Sequence, residues 1–169
     1  MDEGLESRLI IHNIIKLSIN NSVNIDNAFI KATQGINLSA ENKKFIYNVS
    51  LTSIRQFFLV KKIIKKLVKK INFKNDTFVL LLSSLTQLIF MNIKEYGVVN
   101  CSVELCKQKK INAPVKLING TLRNFLRKQN IFIKEKIFFE DYPEWFCKNI
   151  NNLNKKEKNN FIQSINLQP

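Results

Sequence analysis

Apolar positions recur at helical spacing along nearly the whole chain. Leu5, Leu9, Ile10, Ile14 and Ile15 gather on one side of a wheel drawn over residues 5–17, with Arg8 and Lys16 elsewhere on it. A second helix is predicted over Asn24–Thr33 and stops at Gly35, which tolerates the positive φ of a helix end. Ser39 can cap a third helix starting at Ala40, with the Glu41 carboxylate near the positive end of its dipole. Residues 57–71 read FFLVKKIIKKLVKKI, with lysine pairs at 61–62, 65–66 and 69–70 alternating with apolar pairs at 59–60, 63–64 and 67–68. A period near four predicts one helix with the six lysines on one face and the apolar pairs on the other. A strand would scatter both types across its two faces.

Asn75 or Asp76 can cap the next helix, Thr77–Met91, which is apolar nearly all round and therefore predicted as the central, most buried element. Gly97–Gln108 is amphipathic, with Val99, Val103 and Cys106 on one stripe. Asn112 and Pro114 start a further helix, since proline in a first turn loses no useful donor; Val115, Ile118, Leu122 and Phe125 or Leu126 form its apolar face. Residues 131–139 alternate weakly and read as an extended connector. Pro143 and Asn154 open two short terminal helices, the latter with Glu157 completing a capping box. Only four glycines and three prolines are present, too few for a sandwich of tight hairpins. The fold class is all-α, with about seven to nine helices. No repeat or linker divides residues 1–169, which read as a single domain with a substantial core.

Three pieces between Phe78 and Arg127 carry a family resemblance: Gln87-Leu88 ending the apolar helix, then Val99-Asn100-Cys101-Ser102-Val103-Glu104-Leu105, then Asn119-Gly120-Thr121-Leu122-Arg123. Their order resembles the NusB-like helical domain. It is most similar to the version at the front of the bacterial rRNA cytosine-C5 methyltransferases called Sun or RsmB, where the pieces read "yQL", "AAVNESVELAK" and "FVNAVLR". Tyr142-Pro143-Glu144-Trp145 and the closing Leu167-Gln168-Pro169 resemble that family's "yPeWl" and the "qP" preceding its catalytic domain. Lys43-Lys44-Phe45-Ile46-Tyr47 stands where the family has "DR-x-F", and Arg55 corresponds to the Arg of "YGVLR"; the Asp and Gly of those motifs are missing here. The match is best over residues 40–169. The resemblance implies a helical bundle that binds RNA and protein partners and carries no catalytic residues.

Charge agrees with such a role. Twenty-seven basic residues stand against 13 acidic ones, a net charge of +14, which attracts polyanions: nucleic acid or an anionic membrane surface. The competing reading is compositional, because only Arg8, Arg55, Arg123 and Arg127 are arginines and Lys, Asn, Ile and Phe dominate, as A+T-rich coding would produce. The densest basic candidate is the face bearing Lys61, Lys62, Lys65, Lys66, Lys69 and Lys70, which could equally be a solvated outer helix face. A membrane-surface reading would need Ile63, Ile64, Leu67 and Val68 among headgroups, and these fit a core better. By the resemblance, Arg8 is the arginine that opens the first helix in a region associated with RNA contact. Lys43, Lys44 and Arg55 join it, and Arg123 is the Arg of "N-x-x-LR". For Asn119 and Gly120 a structural role is favoured: a close helix approach at Gly120, and an Asn119 amide bonded to a buried backbone group.

Catalytic chemistry is not legible. A methyltransferase of the resembled family needs a glycine-rich loop for S-adenosylmethionine and a Pro-Cys nucleophile; the chain has no Gly-x-Gly, and none of Cys101, Cys106 and Cys147 follows a proline. These cysteines are odd in number and lack paired spacing, so neither a disulfide framework nor a zinc site is expected, and Cys101 and Cys106 read as small core residues. His12 is the only histidine and reads as packing or surface. No acid–base pair of carboxylates emerges. The chain is expected to be non-catalytic, without cofactor or metal, and cytoplasmic, since it shows no leader and no apolar run near the roughly 20 residues of a membrane span. Two functions follow from the resemblance. One is a domain positioning rRNA for a cytosine-C5 methyltransferase catalytic domain. The other is a transcription antitermination factor binding RNA with a ribosomal protein. A third reading is a protein-interaction domain whose charge is only codon drift.

Overall fold

Asp2, Asn24, Ser39 and Asn75 each stand just before a helix and accept a hydrogen bond from a backbone N–H in its first turn, at 3.3, 2.8, 3.2 and 2.9 Å. Each satisfies a donor that no helical carbonyl can reach. In the computed structural model, which describes residues 2–166, these caps open α1 (Glu3–Asn21), α2 (Ile25–Thr33), α3 (Ala40–Arg55) and α5 (Asp76–Phe90). Between α3 and α5 lies α4 (Phe57–Leu67), and α6 (Glu95–Lys107), α7 (Val115–Arg127), α8 (Gln129–Phe132), α9 (Glu144–Asn149) and α10 (Lys155–Asn166) follow. A 3-10 turn covers Phe139–Asp141, and no strand occurs among the described residues. The protein is all-α. Nine of the ten helices among the described residues are those the pattern predicts; the tenth, α8, takes Ile131 and Phe132 out of the expected extended connector, which shrinks to residues 135–138.

Helix α5 is the axis. It is buried from Thr77 to Leu88 on every side, and α1, α3, α4, α6 and α7 all pack against it. Its polar residues survive there by bonding back into their own helix: Ser84 Oγ to the Leu80 carbonyl at 2.7 Å, Thr86 Oγ1 to that of Leu82 at 2.8 Å, and Gln87 Nε2 to that of Ser83 at 3.1 Å. Ser84 and Ser102 share a 2.8 Å hydrogen bond that ties α5 to α6. Gln87 and Ser102, which carry much of the motif likeness, are therefore core positions.

Three boundaries differ from the sequence reading. Helix α1 runs to Asn21, where Ser22 closes it at φ 53° with its N–H bonded to the Leu17 carbonyl. Helix α6 starts at Glu95. Helix α4 ends at Leu67, so Lys69 and Lys70 leave the predicted lysine face and enter the α4–α5 connection. Continuing would have stacked them one turn beyond Lys65 and Lys66, where like charges oppose the helix. The chain must also reverse within a few residues to bring α5 back against α4.

Beyond α7 the chain folds along α4. Phe58 of α4 meets Tyr142 at 4.7 Å between ring centroids, Tyr142 stacks on Phe146 at 4.8 Å, and Phe146 lies 6.2 Å from Phe161. Gln56 Nε2 donates to the Asn166 carbonyl at 2.8 Å. The predicted capping box is present, with Asn154 N–H donating to Glu157 at 2.8 Å and Glu157 N–H to Asn154 at 3.0 Å. Tyr142-Pro143-Glu144-Trp145 forms the entry to α9. The motif Leu167-Gln168-Pro169 lies outside the described residues.

Candidate nucleic-acid interface

The lysine run of α4 splits into two stripes with different surroundings. Lys62 Nζ donates to Asp141 Oδ2 at 2.8 Å and to the Lys136 carbonyl at 3.0 Å, and lies 3.5 Å from Glu135 Oε1. Lys66 pairs with the other oxygen of Glu135. Burial alone would lower the Lys62 pKa, but Asp141 and Glu135 outweigh it and raise it. Glu135 is correspondingly held below its ordinary value, first by its bond to Lys66. These two lysines clamp the chain after α8 onto α4 and are already neutralised.

The other stripe has no acid. Lys61 Nζ lies 4.4 Å and Lys65 Nζ 5.4 Å from the centre of the Phe73 ring, whose edge meets the core residue Phe78 at 5.2 Å. Lys65, Lys69 and Lys70 line an open groove of about 640 Å³ closed by residues 71–73. Among the described residues no carboxylate lies within 4.0 Å of Lys61, Lys65, Lys69 or Lys70. The Lys61 ammonium is held below its ordinary pKa, by burial first and then by Lys65.

Arg8 stands elsewhere. Its guanidinium donates to the Gly4 carbonyl at 3.0 Å and lies over the Phe45 ring at 5.6 Å, while its Nε is buried without a partner. Lys43 and Lys44, exposed in the first turns of α3, directly precede Phe45 in the sequence. Arg55 is half-buried in the last turn of α3, where a cation complements the helix dipole. Arg123 is exposed on α7, with its Nε donating to Asn119 Oδ1 at 3.0 Å. That bond corrects the expectation for Asn119, which holds an arginine and no buried backbone group. Gly120 is likewise corrected: nothing lies within 4 Å of where a β-carbon would stand, so no helix approaches there.

The sequence reading missed Phe73, Glu135 and Asp141. Phe73 stands three positions after Lys70 and could have been flagged as an aromatic neighbour of the lysine run. The two acids act on Lys62 across more than 70 residues, and no local pattern announces such pairs. His12 is buried, 3.2 Å from Asp76 Oδ1, a carboxylate that Lys16 also reaches at 2.7 Å. Cys106 is buried and its thiol pushed up to about 11 by desolvation. Among the described residues no cluster of His, Cys, Asp and Glu could hold a metal ion. No helix there is long and apolar enough to cross a membrane.

Comparison with known proteins adds one positive finding. A family model described as the NusB family matches residues 6–127, well over half the chain, from α1 to the end of α7. No curated protein matches it.

Proposed function

The chain belongs to the NusB family, and we propose that it serves as an RNA-binding domain that leaves chemistry to a partner. The carrying observation is the family match together with basic side chains that no carboxylate among the described residues neutralises. The proposed contacts are Arg8 on α1 and Lys43 and Lys44 on α3, the lysines of the α4–α5 connection, and Arg123 on α7; Lys62 and Lys66 are paired with Asp141 and Glu135. Each phosphate engaged by Lys or Arg releases counterions, so binding would weaken steeply with salt.

Two uses of such a domain are open, on equal footing. In one, it positions rRNA for a cytosine-C5 methyltransferase; the Tyr142–Trp145 segment beyond the family match supports this. In the other, it acts in transcription antitermination with a ribosomal protein, as the family itself supports. The test is titration of the purified chain against labelled single-stranded rRNA fragments at about 50 and 200 mM salt, where several phosphate contacts would change affinity by orders of magnitude. Absence of binding at the lower salt would sink the proposal. Tighter RNA binding on adding ribosomal protein favours antitermination. Cytosine methylation by a separately supplied catalytic domain only when this chain is present favours the methyltransferase role. Alone with S-adenosylmethionine and rRNA, the chain is expected to leave cytosines unmodified.

A further inference from the structure

Between α4 and α5 the fold assembles an uncompensated cluster of ammonium groups. Lys65, Lys69 and Lys70 line one groove, Phe73 forms its wall, and Lys61 lies behind, over the same ring. We propose that this groove binds the phosphodiester backbone of an RNA strand, with Lys65, Lys69 and Lys70 as phosphate contacts and Lys61 and Phe73 as positioning residues. The inference rests on the RNA-binding reading above and narrows it to one half of the lysine run.

Three observations carry it. The first is the contrast within α4: Lys62 and Lys66, one position further round the helix, have Glu135 and Asp141, whereas the groove lysines have no carboxylate within reach among the described residues. The nearest acid in sequence, Asp76, is taken by Lys16 and His12. The second is preorganisation. Phe73 is fixed edge-on against Phe78, and its ring holds two ammonium groups before any ligand arrives, so less side-chain freedom is lost on binding. Burial first, and then the charge of Lys65, lowers the Lys61 pKa, and the repulsive part is relieved by an anion placed between the two ammonium groups and solvent. The third concerns the class of polyanion. A membrane surface would be gripped by apolar side chains projecting around the lysines. Here Val68 is buried and Ile71 and Phe73 are half-buried, and none of the large exposed apolar residues falls between positions 61 and 74. A concave, basic, non-projecting surface fits a strand of phosphates.

The experiment compares wild type, Lys65→Gln/Lys69→Gln/Lys70→Gln and Lys62→Gln/Lys66→Gln for binding a single-stranded RNA across a salt series, with vesicles of phosphatidylserine as a second probe. Circular dichroism checks that the exposed triple variant stays folded. The triple variant should bind more weakly and lose about 2 to 3 units of the slope of log K against log salt, at about 0.7–0.9 per phosphate. The double variant should keep the wild-type slope. Phe73→Leu, which removes no charge, should weaken binding while leaving the slope nearly intact. If wild type binds RNA and the triple variant matches it in affinity and slope, the groove is not the site and the RNA-binding reading stands. If wild type binds no RNA, both fall. Binding to vesicles but not to RNA, lost in the triple variant, overturns the inference in favour of a lipid surface.

Discussion

His12 shows what a single polar residue does when a helix bundle closes over it. It lies 3% exposed between α1 and α5, with Nε2 against Asp76 Oδ1 and Nδ1 buried without a partner. Protonation would add an N–H at Nδ1 with no acceptor, and burial lowers the histidine pKa despite the pull of Asp76. The sign follows: as pH falls through 6.5 the unfolded chain takes up a proton that the folded chain refuses. Stability is therefore full above about 6.5 and declines on acidification until the lowered folded pKa is reached. His12→Gln should flatten this decline, read from urea unfolding at a series of pH values between about 5 and 8. With no second histidine in the chain, persistence of the slope in the variant would refute the assignment. Asp76 acts in a separate window. Desolvation pushes its pKa up, but the bonds from Lys16 and His12 outweigh this and lower it, so its contribution is lost only as pH falls below 3.8. The sequence left His12 as packing or surface; neither the burial that decides between them nor its partner, 64 positions away, was legible. Cys106 gives a second check at this scale. With its thiol pushed up to about 11 and its side chain buried, it should resist iodoacetamide in the native state at about pH 8 and react once unfolded.

At the scale of elements, periodicity recovered what depends on one helix and its solvent. The α4 stripe of Val60, Ile63 and Ile64 is buried as predicted, and the caps at Ser39, Asn75 and Asn154 stand where the pattern put them. Asn75→Ala should cost about 1 kcal/mol in thermal or urea unfolding, because the first turn of the most buried helix loses its only side-chain acceptor. The end of α4 was not legible, since it is set by the return of α5 and by charge crowding beyond Lys66. Nor was the fate of Lys62 and Lys66, fixed by Glu135 and Asp141 far along the chain. If those ion pairs hold the connector on α4, Glu135→Gln/Asp141→Asn should expose residues 133–143 to limited proteolysis. The cost in global stability should be only roughly 1 kcal/mol per pair, because all four side chains retain some solvent access. Glu135 sits below its ordinary pKa, so the same loosening should occur in wild type as pH drops beneath 4.5. Unchanged cleavage in the double variant would mean that the Phe58–Tyr142–Phe146 ladder alone suffices.

For the whole molecule, the helical architecture was written in composition and period, while the meaning of the +14 charge was not. A charge surplus can attract RNA through the summed field of every lysine, or through a few lysines placed against phosphates, and sequence counts cannot separate the two. Placement can. Lys43 and Lys44 are exposed in the first turns of α3, and Lys155 and Lys156 are exposed at the start of α10, outside the family match. Lys43→Gln/Lys44→Gln and Lys155→Gln/Lys156→Gln remove the same charge. If attraction is a property of net charge alone, both pairs should weaken RNA binding by the same small factor and shift the salt slope equally. If α1 and α3 form a contact surface, the first pair should take roughly 1 to 2 units from the slope and the second almost nothing. Arg8→Ala should add a further loss of about 1–3 kcal/mol if its guanidinium turns from Gly4 to phosphate on binding. Equal behaviour of the two lysine pairs would leave Lys43 and Lys44 without a specific role in RNA recognition.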